Sequence, residues 1–176
     1  VNIFSLEIWD DQGKKCSFYT VRKEDARENE TDKFFKKYYL IPELTLEVQR
    51  LMSFVLDSIG DDHGAINILF NRYENEVIGL PNKGNAVLGE VSFLFPNFPL
   101  RLYALRINNR TDLVVLFNGG LKTAQTNQQS RDLNLKWREA CQFAKRIEEA
   151  LRNQEIQIDG KSRKIVSSDG SDQIIL

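Results

Sequence analysis

The chain has 176 residues, 41% of them hydrophobic and 28% charged, which suits one domain with a substantial core and excludes a disordered segment. A formal net charge of −1, from 24 Lys/Arg against 25 Asp/Glu, excludes the uniformly basic composition with which many nucleic-acid-binding domains neutralise phosphate. No apolar run has the length of a membrane span, and two distant cysteines give neither metal-ligand spacing nor a disulfide framework. The sequence therefore reads as a soluble, cytoplasmic protein with reduced thiols.

The charge is uneven. Residues 1–100 carry 11 Lys/Arg against 16 Asp/Glu, a net of −5, whereas residues 101–176 carry 13 against 9, a net of +4. That split is the ordinary consequence of a solvated helix face, or it places a basic face beside the centre of the fold.

In chain order, Ile3 to Trp9 and Cys16 to Val21 predict an N-terminal hairpin around the Asp10-Asp11-Gln12-Gly13 turn. Thr31-Asp32 is read as the cap of a short helix that Pro42 ends. Leu44, Val48, Leu51, Met52, Val55, Leu56 and Ile59 recur every three or four residues, which predicts an amphipathic helix over 45–59 with Gly60 as its stop. Met52 and Phe54 are core material in this reading. Asp61-Asp62-His63-Gly64 is a loop, and adjacent residues of a loop make a poor chelate, so neither a metal nor a cofactor is expected. Ala65 to Phe70 is a short strand or an extension of that loop. Glu76 to Leu80 is a brief strand, Pro81 to Asn85 a turn, and Ala86 to Phe95 a longer strand.

The central stretch runs from Pro99 to Gln125. Side chains alternate from Arg101 to Ile107, with Leu102, Ala104 and Arg106 on one face and Tyr103, Leu105 and Ile107 on the other. Asn108-Asn109-Arg110 is a turn, because Asn tolerates left-handed backbone, and Leu113 to Phe117 is a strand buried on both faces. Gly119-Gly120 lets the chain leave the sheet. From Ser130 to Arg152, Leu133, Trp137, Ala140, Cys141, Ala144, Ile147 and Leu151 form one apolar helix face. Residues 1–152 are therefore expected to make one α+β domain with a mostly antiparallel sheet, an N-terminal hairpin, two helices, central strands and a C-terminal amphipathic helix. Residues 153–176 are a C-terminal extension: an extra hairpin, an edge strand, or an arm that pairs with another subunit.

The segments PLRLYALRINNR, TDLVVLFNGGLKTAQ and the helix around LNLKWREACQFAKRIEEAL together resemble the RelE/HigB-like toxin superfamily, in particular its phage-derived HigB-like branch. The resemblance implies the toxin component of a type II toxin-antitoxin system: an endoribonuclease (mRNA interferase) that cleaves mRNA without a metal, on the ribosome, and is neutralised by an antitoxin protein. Such cleavage uses the RNA's own 2′-hydroxyl, so the protein supplies a base, cations for the phosphorus and a donor for the leaving oxygen. Carried over by position, Arg101 matches the strand arginine of the family and Lys122 a lysine of its loop, both as catalytic groups. Gln125 falls where that loop continues with a polar residue. Arg106 and Arg110 are added on chemical grounds as RNA contacts, since Arg suits bidentate phosphate binding. Tyr103 either stacks on a base or belongs to the core. The loop has one lysine where relatives have more, and no histidine or tyrosine follows the last helix. Two other readings thus stand beside the first: a non-catalytic RelE-fold protein-binding module, and an unrelated α+β domain.

Overall fold

The computed structural model describes residues 3–123 and 126–176. Its centre is a seven-stranded sheet with helices on both faces. The strands are β1 (Phe4–Asp10), β2 (Ser17–Lys23), β3 (Tyr73–Glu74), β4 (Val77–Leu80), the pair β5 (Ala86–Leu88) and β6 (Val91–Phe93), then β7 (Leu100–Arg106), β8 (Leu113–Leu121), β9 (Ile156–Asp159), β10 (Lys164–Ser167) and β11 (Ile174–Ile175). The sheet order is β11-β1-β2-β8-β7-β4-β3, and every pairing in it is antiparallel except β2 with β8. The fold is α+β and mostly antiparallel, as the periodicities predict.

Two apolar layers follow from the two faces of the strands. On one, Phe18, Leu80, Leu100, Leu102, Ala104, Val114 and Leu116 meet α1 (Glu30–Tyr39), α2 (Thr45–Ser53) and the π-helical turns Phe54–His63 that continue it. On the other, Tyr19, Val77, Tyr103, Leu105, Val115 and Phe117 meet α3 (Asn127–Arg152). The alternation read from Arg101 to Ile107 is the one observed, and Asn108 and Asn109 take the left-handed backbone of the turn, at φ 50° and 56°.

Four local expectations are corrected. The second helix does not stop at Gly60: it runs to His63 and is closed by Gly64 at φ 76°, while the Gly60 carbonyl accepts the Lys15 and Cys16 amides at 2.7 and 3.0 Å. The π-helical turns thus present the Gly60 carbonyl to two donors of the N-terminal hairpin. The chain does not leave the sheet at Gly119-Gly120: both are paired with β7, and β8 runs to Leu121. Of the two alternatives at Ala65 to Phe70, the loop is the one observed. Ala86 to Phe95 is two short strands folded at Gly89 (φ 63°), whose conformation breaks the extended run. The N-cap of α1 is Asn29, whose side chain accepts the Asp32 amide at 2.8 Å.

The C-terminal extension folds back on its own chain. β9 and β10 form a hairpin, β11 pairs with β1 through Ser5 and Leu6, and Ile156, Ile165 and Ile174 are buried against the α3 side of the sheet. The hairpin and edge-strand alternatives are both realised. Among the described residues, no helix is long and apolar enough to cross a membrane.

β8 carries an extra residue opposite β7 between its Gly119 and Leu116 partners, a bulge that leaves carbonyls outside the ladder. Thr31 of α1 reaches the Leu116 and Phe117 carbonyls at 3.1 and 3.0 Å and lies 2.7 Å from the Thr20 hydroxyl. Carbonyls only accept, so the Thr31 proton goes to them and Thr20 is the donor of the hydroxyl pair.

Beside this bulge lies Glu30, with a side chain 1% exposed, 2.8 Å from Lys33 Nζ and 3.9 Å from Lys23 Nζ. Burial raises its pKa, but the Lys33 hydrogen bond and the charges of Lys23, Lys33 and Lys136 outweigh it and hold the carboxyl below its ordinary value of 4.5. A carboxyl depressed in the folded state contributes stability that is complete above pH 4.5 and is lost as pH falls through the folded pKa. Glu30→Gln is expected to cost about 2 kcal/mol at pH 7 and to make the acid limb of the stability curve shallower, as read by urea titration between neutral pH and pH 3. An acid limb as steep as that of the native chain would contradict this role.

Candidate active site

β7 and β8 pair Arg101 with Gly120, and β7 and β4 pair Tyr103 with Gly79. All four residues face α3. The two glycines leave a depression on each side of Arg101 and Tyr103 where other residues would put side chains. A Cβ on Gly120 would meet Leu133 Cδ1 at 3.1 Å, and a Cβ on Gly79 would meet Glu74 Oε2 at 2.7 Å, Arg72 Cδ at 3.0 Å and Arg101 Cδ at 3.4 Å. Three charged side chains therefore converge over Gly79.

The result is a cleft of about 260 Å³ between sheet and helix, lined by Glu74, Arg101, Tyr103, Lys122, Ser130 and Trp137, among others. Each wall is fixed by a nameable contact. Asn75, at φ 62°, turns β3 into β4 and sets Glu74 beside the cleft. Trp137 donates its indole N–H to the Glu74 carbonyl at 3.0 Å, so α3 holds the backbone of the carboxylate it faces. The capping box of Thr126 and Gln129 begins α3 just before Ser130. The Lys122 amide is held by the Pro99 carbonyl at 2.5 Å, which keeps the strand exits on the same rim.

The electrostatics are unusual for a buried site. Arg101 is 8% exposed, yet among the described residues its guanidinium donates only to the Leu100 carbonyl, at 3.2 Å, and no carboxylate lies within 4.0 Å of it. Glu74 Oε2 is buried and has no hydrogen-bond partner among the described residues. Desolvation lowers the Arg101 pKa, the like charge of Arg72 lowers it further, and Glu74 and Tyr103 act in the opposite sense. Arg72 is itself tied to the Pro81 and Asn82 carbonyls at 3.3 and 3.4 Å. Burial, followed by the Glu74 charge, pushes the Tyr103 phenol up, with Arg101 opposing, so Tyr103 stays protonated through neutral pH and serves as a donor. Arg101 and Lys122 against Glu74 leave the lining of the cleft net positive, in a chain whose total charge is −1. Buried donors with few protein partners in a positive recess suit an anion with several acceptor oxygens.

Of the site residues expected from sequence, Arg101 and Lys122 are brought together here. Arg106 points to the opposite face of the sheet, where it donates to the Ala65 carbonyl at 3.1 Å and Asn67 Oδ1 at 2.8 Å and stacks over Phe70. Its guanidinium is used inside the fold. Arg110 is held by Asp112 in a two-pronged pair, both contacts at 2.8 Å, at the far end of the central hairpin. Gln125 lies outside the described residues. Glu74 and Arg72 were not foreseen. The only sequence signal for them is the Asn75 turn in Tyr73-Glu74-Asn75-Glu76, which announces a hairpin but not its neighbours.

No protein-family model, curated protein or solved structure matches the chain.

Proposed function

We propose that this protein is a metal-independent endoribonuclease of the toxin-antitoxin kind, acting on mRNA in the cleft beneath α3. The observation that supports this reading is the convergence of Arg101, Lys122 and Glu74, none of them ion-paired among the described residues, with a protonated Tyr103 in one recess. Glu74 Oε2 takes the proton of the RNA 2′-hydroxyl, and the 2′-oxygen bonds to phosphorus. Arg101 and the Tyr103 hydroxyl stabilise the charge that develops on the non-bridging oxygens. The bond to the 5′-oxygen breaks, and Lys122 neutralises and protonates that oxygen. The products are a 2′,3′-cyclic phosphate and a free 5′-hydroxyl.

The protein-binding alternative draws less support. Strand addition through a C-terminal arm needs a free arm, whereas Ile174–Ile175 are already paired with β1 of the same chain.

The reading is tested by incubating the purified chain in excess chelator with single-stranded RNA, free and on translating ribosomes, and mapping the product ends. Cyclic-phosphate ends are expected. Glu74→Gln keeps the size and polarity of the side chain but cannot accept the proton, so it is expected to lower the cleavage rate about 10²- to 10⁴-fold while RNA affinity is retained. Absence of cleavage in both settings by the folded native chain, or an undiminished rate in Glu74→Gln, would overturn the assignment.

A further inference from the structure

The cleft does not end at Ser130 and Asn134. The same two residues line a second, shallower depression of about 440 Å³ on the outer side of α3, together with Arg131, Leu135 and Arg138. At 100° per residue, positions 130, 134, 138 and 131 follow one another around the helix, so this surface is continuous with the mouth of the cleft. Arg131, Asn134 and Arg138 are exposed, and among the described residues neither arginine has an ion-pair or hydrogen-bond partner. The neighbouring carboxylates of the helix are committed elsewhere: Asp132 to Lys37 at 3.4 Å and Glu139 to Lys23 at 2.6 Å. Other cations of α3 are neutralised, Lys145 by Glu76 at 3.1 Å and Arg146 by Glu155 at 2.8 Å. Among the described residues, Arg131 and Arg138 thus leave unneutralised charge on the part of α3 next to the cleft.

We infer that Arg131, Asn134 and Arg138 form a track for the sugar-phosphate backbone of single-stranded RNA leading into the cleft. This rests on the ribonuclease reading and adds to it the strandedness of the substrate and the path by which it enters. The reacting phosphate must reach Arg101, which is 8% exposed between sheet and helix. A duplex presents its phosphates on a stiff cylinder that cannot enter such a recess, whereas a single strand can dip into it and continue over the helix. Arg131 and Arg138 are two helical turns apart, about 10 Å along the axis, far enough to meet separate phosphates. Leu135, 52% exposed between them, offers an apolar surface for an unstacked base.

The test is a salt titration of binding to a single-stranded oligoribonucleotide with 2′-O-methyl sugars, which binds but cannot be cut. Each phosphate contact on a single strand contributes about 0.7 to the slope of log K against log salt, so the double variant Arg131→Gln, Arg138→Gln is expected to reduce the slope by about 1.4. Its rate on cleavable RNA at saturation is expected to equal that of the native chain, and a duplex of the same sequence is expected to bind more weakly than the single strand. A native slope in the double variant, or tighter binding of the duplex, would overturn the track while leaving cleavage by the native chain intact. If the native chain neither binds nor cuts RNA, the ribonuclease reading falls and the track falls with it.

Discussion

On the ribonuclease reading, the double variant Arg101→Ala, Lys122→Ala is expected to lose cleavage by about 10³-fold or more, and to spare cells the growth arrest expected on expression of the native chain. Removing one preorganised donor to a developing oxyanion typically costs about 10²- to 10³-fold, and here two cations leave the same cleft. Stability is expected to move in the opposite direction. Arg101 is buried without an ion-pair partner among the described residues and its pKa is lowered chiefly by desolvation, so the folded state carries the cost of that charge. Replacing it should leave the thermal midpoint unchanged or raise it, which distinguishes a site residue from a structural one. Arg101→Lys should recover only part of the activity, because an ammonium cannot present the planar two-pronged donor pair. A folded double variant that cuts RNA at the native rate would show that the chemistry lies elsewhere.

Gly119→Ala is expected to destabilise the protein by about 3 kcal/mol and to remove activity as well. A Cβ at Gly119 would sit 1.7 Å from the Arg101 carbonyl oxygen and 3.0 Å from Leu102 Cα, both backbone atoms of the paired strand. No side-chain rotation relieves such a contact, so β7 and β8 must separate where the β8 bulge begins. The same movement displaces Arg101 from its place opposite Gly120. Gly84→Ala is the natural control: Gly84 has nothing within 4 Å of an added Cβ, and its φ of 69° strains an alanine only locally. Urea unfolding of the two variants separates the cases, since Gly119→Ala should shift the midpoint strongly and Gly84→Ala by about 1 kcal/mol. Equal shifts would mean that the close approach at Gly119 is relieved elsewhere.

Much of this architecture is determined locally. The alternation from Arg101 to Ile107, the Asn108-Asn109 turn and the unbroken apolar run of Leu113 to Phe117 are short-range patterns, and each predicts its element because period and turn chemistry depend only on neighbouring residues. Arg101 and Lys122 are singled out by the family resemblance, and only the hairpin that joins them is a local pattern. The helix read over 45–59 is observed, but its end lies at His63 rather than Gly60, where the Gly60 carbonyl meets the Lys15 and Cys16 amides of a distant hairpin.

What only the tertiary structure decided is which charges meet. Glu74 belongs to a two-residue strand that pairs with β4, and β4 reaches Arg101 only because it lies beside β7 in the sheet order. Arg106 and Arg101 are five residues apart on one strand, yet odd spacing sends them to opposite faces, one to the cleft and the other to Ala65, Asn67 and Phe70. Periodicity assigns those faces but cannot say which face receives a helix with a recess beneath it. By itself the sequence determined most of the elements and the two-faced central hairpin, because those follow from local backbone preference and alternation. The carboxylate, the second arginine and the depression above Gly79 and Gly120 arise from strand order and close approach, which involve residues far apart in the chain.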